Sequence, residues 1–225
     1  MVAARPVSVC ELLHQAPRSL TVLSNEHPDG WGIAVRIVDD WHVQRSTNCA
    51  ARCGDYVGAA GVHAEVLIAH VRKATVGSLS IANTHPFQRG RFVFAHNGTV
   101  HKLAALIPWT DPAHLASVEG QTDSERLFAF VLTQIDDAGD VQRGVTRAVA
   151  RLQSLDDIGA ATFLLSCGER LFAYRSGRTL FTLARGSARF VASEPLTDEP
   201  WCEVPQSQLV VLERPQTPSE HPVAA

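Results

Sequence analysis

Lysine is scarce in this sequence. Only Lys73 and Lys102 occur, and Lys plus Arg number 20 against 23 Asp plus Glu. With a net charge of −3 and no basic run, the chain lacks the positive face by which proteins hold nucleic acid or an anionic membrane. Long apolar runs are missing too: none approaches a membrane span, and the opening "MVAARPVSVC" has no apolar centre like that of a secretion signal. Cysteines are few and odd in number, at positions 10, 49, 53, 167 and 202. That argues against a disulfide framework and for a reducing, cytoplasmic setting. Cys49 and Cys53 form a lone C-x3-C pair without a second pair, so they are read as buried free thiols rather than a zinc site.

What is present is an ordinary globular composition, 45% apolar and 19% charged over 225 residues, enough to bury a full core. A single domain is expected over residues 1–213, followed by a polar, Pro-rich tail at 214–225. Ser8 and Glu11 have capping-box spacing, which predicts a short helix over 8–16. "WGIAVRIV" (31–38) and "WHVQRS" (41–46) predict a hairpin turning at Asp39-Asp40, and "EVLIAHV" (65–71) and "RFVFAH" (91–96) predict buried strands. Between the last two lies a long loop, a kind of segment that is often functional. Helical periodicity follows over 123–137 and 141–155, then five short strands between 161 and 213. Strands, a helix pair and more strands imply a layered α+β fold.

Polar groups that apolar strands usually exclude are concentrated between His70 and Asp123: His70, Arg72, Thr75, His85, His96 and Asn97. Taken singly, each reads as an ion pair or a satisfied core group. Together, at strand ends and loop edges, they make a site. Arg72 offers a planar fork for a carboxylate and Asp123 an acceptor for an ammonium, the two charged ends of an α-amino acid. Asn97-Gly98 reads most simply as a hairpin turn. The alternative is that the Asn97 amide and a closely approachable backbone N–H at Gly98 stabilise an oxyanion, and a helix-like "VHKLAALI" after Thr99 favours it. These residues point to a hydrolase or acyltransferase acting on an amino acid. A metal centre built from His70, His85, His96, His101 and Asp123 is disfavoured because no ligand motif spaces them.

The segments "HPDGWGIAV" (27–35), "AHVRKATVG" (69–77), "NTHPFQRGRFVFAHNGTV" (83–100) and "TDSE" (122–125) resemble, in order and spacing, those of class II glutamine amidotransferases. This is a branch of the N-terminal nucleophile hydrolases, and the chain looks closest to short stand-alone members described as amidotransferases or γ-glutamyl hydrolases. The resemblance implies a four-layer αββα sandwich. It implies that Arg72 holds the substrate α-carboxylate with Thr75 and His85 shaping that side, that Asn97 and Gly98 form the oxyanion hole, and that Asp123 binds the α-amino group. Asp29 and Trp31 would build the pocket wall, and Lys73 is given no catalytic part. It calls for a small-molecule substrate (glutamine or a γ-glutamyl amide), no cofactor, no metal, no nucleic acid and no membrane. An ammonia-using partner would fit the family, but no residue marks one.

The family's nucleophile is a cysteine at the mature N-terminus, activated by its own α-amine. This chain starts Met1-Val2, and Cys10 reads as a plain helix residue. The sequence is therefore expected to begin just after the family's first strand, with the start lying upstream, and to be inactive as given. The alternative is an inactive amino-acid-binding protein of the same fold.

Overall fold

Alternation along the strands decides the layering. In a computed structural model describing residues 1–215, the chain runs β1 (Val2–Ser8), α1 (Leu20–Leu23), β2 (Trp31–Ile37), β3 (Asp40–Ser46), α2 (Gly54–Ala60), β4 (His63–Val71), β5 (Phe87–Arg89) and β6 (Phe92–Asn97). It continues through α3 (Pro112–Ala116), α4 (Asp123–Ala138), α5 (Val141–Gln153), β7 (Thr162–Ser166), β8 (Arg170–Tyr174), β9 (Phe181–Arg185), β10 (Ala188–Ala192), β11 (Cys202–Glu203) and β12 (Leu209–Glu213). The named strands form two antiparallel sheets, ordered β11-β9-β10-β1-β4-β2-β3 and β12-β8-β7-β6-β5.

Val2, Ala34, Val66 and Ile68 of the larger sheet meet Val93, Ala95 and Leu171 of the smaller one in a core between the sheets. Their neighbours in sequence, Ala3, Ile33, Val35 and Leu67, face the other way and pack with Leu12, Leu13 and Tyr56 from the short helical segments. On the far side of the smaller sheet, Phe94 and Phe163 pack with Phe128, Val131 and Val145 of α4 and α5. Phe94 and Phe128 stack with ring centroids 4.9 Å apart. Period-two alternation on doubly covered strands thus yields the four layers αββα.

The two long helices follow their end signals. Thr122 caps α4, its hydroxyl accepting from the Glu125 N–H at 3.2 Å, and Gly139 in a left-handed conformation ends it. Asp140 caps α5 by accepting from the Arg143 N–H at 2.8 Å.

Three expectations are corrected. First, the strand expected to be missing is in place: β1 lies between β10 and β4. Only Met1 to Ala4 are buried at its start, and its pairing with β4 is irregular, passing from Val2↔Val66 to Val7↔Ala64. A bulge holding Arg5 and Pro6 breaks the apolar pattern that would have marked a strand. Second, Ser8 ends β1 and caps nothing; the helical turn spans Glu11–Gln15 and has no side-chain cap. Third, the long loop before β6 ends in β5, which pairs with β6 through Phe87↔Phe94. In addition, the β2–β3 turn falls at Val38-Asp39, one residue earlier than the acidic pair, and "VHKLAALI" holds two short 3-10 turns rather than a helix. Residues 214 and 215 belong to the expected tail; the rest of it lies outside the described residues.

Candidate active site

Four segments converge at one end of the sheets. β4 delivers His70 and the loop after it Arg72. The "DGWG" turn holds that loop: the Arg72 N–H donates to the Gly30 carbonyl at 2.8 Å, the Asp29 N–H to the Arg72 carbonyl at 2.9 Å, and the Ala74 N–H to Asp29 Oδ2 at 2.8 Å. Asp29 is thus a scaffold for the loop, while Trp31 is buried against Tyr56. The Arg72 side chain is buried. Its Nη2 donates to the Val76 carbonyl at 3.1 Å, but Nη1 is buried with no partner. Burial lowers the pKa of this guanidinium and nearby Asp29 works against the shift. A fully charged donor without an acceptor is costly unless a ligand supplies one.

β6 delivers His96, Asn97 and Gly98. Asn97 ends the strand and is exposed; the neighbours of β6 are β5 and β7, so no tight hairpin forms here. Gly98 has φ 151°, and a Cβ there would lie 2.2 Å from the Ala160 carbonyl oxygen. Only glycine fits.

The N-terminus of α4 brings Asp123 and Ser124. Asp123 is buried, and its Oδ2 accepts from the Val100 N–H at 2.7 Å. Its Oδ1 takes no hydrogen bond among the described residues. His96 Nε2 lies 2.9 Å from the Ala160 carbonyl, which can only accept, so that nitrogen carries the proton. Nδ1 then accepts from the Ser124 hydroxyl at 2.8 Å. This one imidazole ties β6, the chain before β7 and the start of α4 together, directly beside Asn97 and Asp123. The fourth residue of "TDSE" works the same way: the Glu125 carboxylate accepts from the N–H groups of Glu119 and Gly120 and from Arg89.

His85 arrives from the loop before β5. Its ring lies 4.4 Å from that of His70, and both of its nitrogens are buried without partners. Gly32 pairs with His70 across the sheet, and a Cβ at Gly32 would come within 2.1 Å of the His85 carbonyl oxygen. That missing side chain is what lets the His85 segment cross β2. Burial holds His70 down to about pKa 3 and His85 well below 6.5, so both are neutral at pH 7. Thr75 closes the ring of segments, its hydroxyl 3.3 Å from that of Thr99.

These groups enclose a cavity of about 520 Å³, and Arg72, Thr75, His85, Asn97, Gly98 and Asp123 all line it. An apolar chamber of about 130 Å³, lined by Met1 and Leu67 among others, shares Ala69, His70, His96 and Asn97 with its wall. Those six candidates therefore meet at one place, whereas Asp29 and Trp31, expected in the pocket wall, line neither cavity and stand behind it as supports. Sequence reasoning missed the pairing of His96 with Ser124, and it missed Arg178, which lines the cavity from a turn far along the chain. "TDSE" was the available signal for Ser124; nothing local marks Arg178.

The chain belongs to the class-II glutamine amidotransferases, whose family model matches residues 1–189. It is 31% identical over 219 residues to a γ-glutamyl-hercynylcysteine sulfoxide hydrolase of Mycobacterium tuberculosis, a match covering 91% of this chain and 87% of that one. It is also 31% identical over 230 residues to an uncharacterised protein of Methanocaldococcus jannaschii, where the match covers 84% of this chain but only 62% of that longer protein. Among solved structures, the glutamine phosphoribosylpyrophosphate amidotransferase of B. subtilis shares the fold with a TM-score of 0.65 at 20% identity, over 86% of this chain and 43% of that one. Among the described residues no helix is long and apolar enough to cross a membrane.

Proposed function

We propose that the cavity binds the glutamyl half of a small γ-amide, glutamine or a γ-glutamyl compound, and that the site serves its hydrolysis through a cysteine thioester. The observation that carries this reading is the buried, unpartnered Arg72 Nη1 in the same cavity wall as the unengaged Asp123 Oδ1. The guanidinium would take the α-carboxylate and Asp123 the α-ammonium, with Thr75 and His85 bounding that side. A thiol would attack the amide carbon, and the resulting oxyanion would be held by the Asn97 side-chain amide and the Gly98 N–H. Collapse expels ammonia or an amine, which takes up a proton, and water then hydrolyses the thioester.

None of the five cysteines lines either cavity, and this reading takes the thiol from a residue N-terminal to Met1. The register of β1 supports that route. Val2 lies opposite Val66, and the Met1 amine donates to the Leu67 carbonyl at 2.8 Å. Residues preceding Met1 would therefore run past Ile68, Ala69 and His70, into the cavity wall. A reducing cytoplasm, in keeping with five free thiols, suits this chemistry.

The same absence of a cavity-lining thiol favours a second reading, an amino-acid-binding protein without catalysis. Calorimetry and ammonia release separate the two. The 225-residue chain should bind L-glutamine, and Arg72→Lys should weaken binding about tenfold or more. A chain extended upstream through a Met-Cys start should release ammonia. If it stays silent where an active relative works, the hydrolytic reading falls and the binding one stands.

A further inference from the structure

The wall of the cavity of about 520 Å³ carries a second arginine, Arg178. Arg178 sits on the turn between β8 and β9. That turn is fastened to β7 by one hydroxyl: Thr162 Oγ1 donates to the Ser176 carbonyl at 3.0 Å and accepts from the N–H groups of Ser176 at 2.9 Å and Arg178 at 3.3 Å. Thr162 is also the cross-strand partner of Asn97. Arg178 is therefore held one strand away from the oxyanion donor. Thr75 and Asp123 instead tie to Thr99 and Val100, which follow Asn97 in the chain.

An exposed arginine without a partner is common on a surface. This one lines the cavity, and its guanidinium makes no hydrogen bond or ion pair among the described residues. The one carboxylate beside it in the cavity wall, Glu194, is taken by Arg18. The other cationic side chain at the rim, Lys73, follows Arg72 on the glutamyl side.

We infer that Arg178 binds a carboxylate on the amine half of the substrate, so that the preferred substrates are γ-glutamyl amino acids or peptides rather than glutamine. The inference rests on the proposed glutamyl site. It assigns the specificity of that site to the group leaving from the scissile bond, which in glutamine is ammonia and has nothing for a guanidinium to hold.

A pair of ligands differing only in that carboxylate tests it: γ-glutamylglycine and γ-glutamylethylamide, titrated calorimetrically into the 225-residue chain. The expected result is about tenfold tighter binding of γ-glutamylglycine, the size of one partly exposed charge-assisted contact. The preference should vanish in Arg178→Gln and persist in Lys73→Gln. Affinity for γ-glutamylethylamide should not change in Arg178→Gln. Equal affinity for the two ligands in the unaltered chain, or a preference lost with Lys73 rather than Arg178, overturns the assignment and leaves the glutamyl site standing. Failure of both ligands to bind overturns the glutamyl site and the assignment with it.

Discussion

A methyl group at position 98 would lie 2.2 Å from the Ala160 carbonyl oxygen, on a backbone with φ 151°. Gly98→Ala should therefore lose about 2–4 kcal/mol of stability, through strain and displaced backbone together, read as a fall in the urea midpoint. Asp123→Asn is a different kind of change. It keeps an oxygen for the Val100 N–H and removes the charge, so it should leave the urea midpoint within about 1 kcal/mol and weaken glutamine binding about tenfold. Arg72 and Asn97 were legible in the sequence because charged and amide groups interrupt apolar strands at their ends, and Asp123 because it stands at the start of a helical period. The His96–Ser124 hydrogen bond was not, because its two members and Ala160 are far apart in the chain. No local pattern encodes a carbonyl that fixes a tautomer.

At the scale of elements, His96 adds a side-chain link between three pieces that the β6–β7 ladder and the Val100 N–H on Asp123 also connect. Replacing it with alanine leaves the Ser124 hydroxyl and the Ala160 carbonyl unpaired in a dry place, at a cost of about 2–3 kcal/mol in urea unfolding. Hydrogen exchange should then rise first at the start of α4. The two long helices and most strands were legible because each carries its own period, while the caps at Thr122, Gly139 and Asp140 fix where the helices begin and end. β1 was not. Three small apolar residues followed by Arg5 and Pro6 have no strand character of their own, and the sheet on either side supplies it. The same holds for β5, a three-residue strand made by its pairing with β6.

For the whole molecule, the buried N-terminus sets a pH dependence. Burial lowers the Met1 ammonium from 8.0 to about pKa 5. Between those values the unfolded chain carries a proton that the folded one has released. Stability is therefore greatest above pH 8 and falls as pH drops towards 5, by at most about 1.4 kcal/mol per pH unit from this group. His70, held down to about 3, adds its own loss below the ordinary histidine value of 6.5. Acetylating the N-terminus should flatten the thermal midpoint between pH 6.5 and 8 and leave the steeper acid side intact. The place of β1 also has a consequence for synthesis. Its flanking strand β10 is made long after it, with Val2 paired to Arg189. A ribosome exposes β1 long before that partner exists, so this edge of β1 stays open until β10 has been made. Any factor that handles β1 while one of its edges is open must act in that interval, because the finished sheet pairs it on both sides.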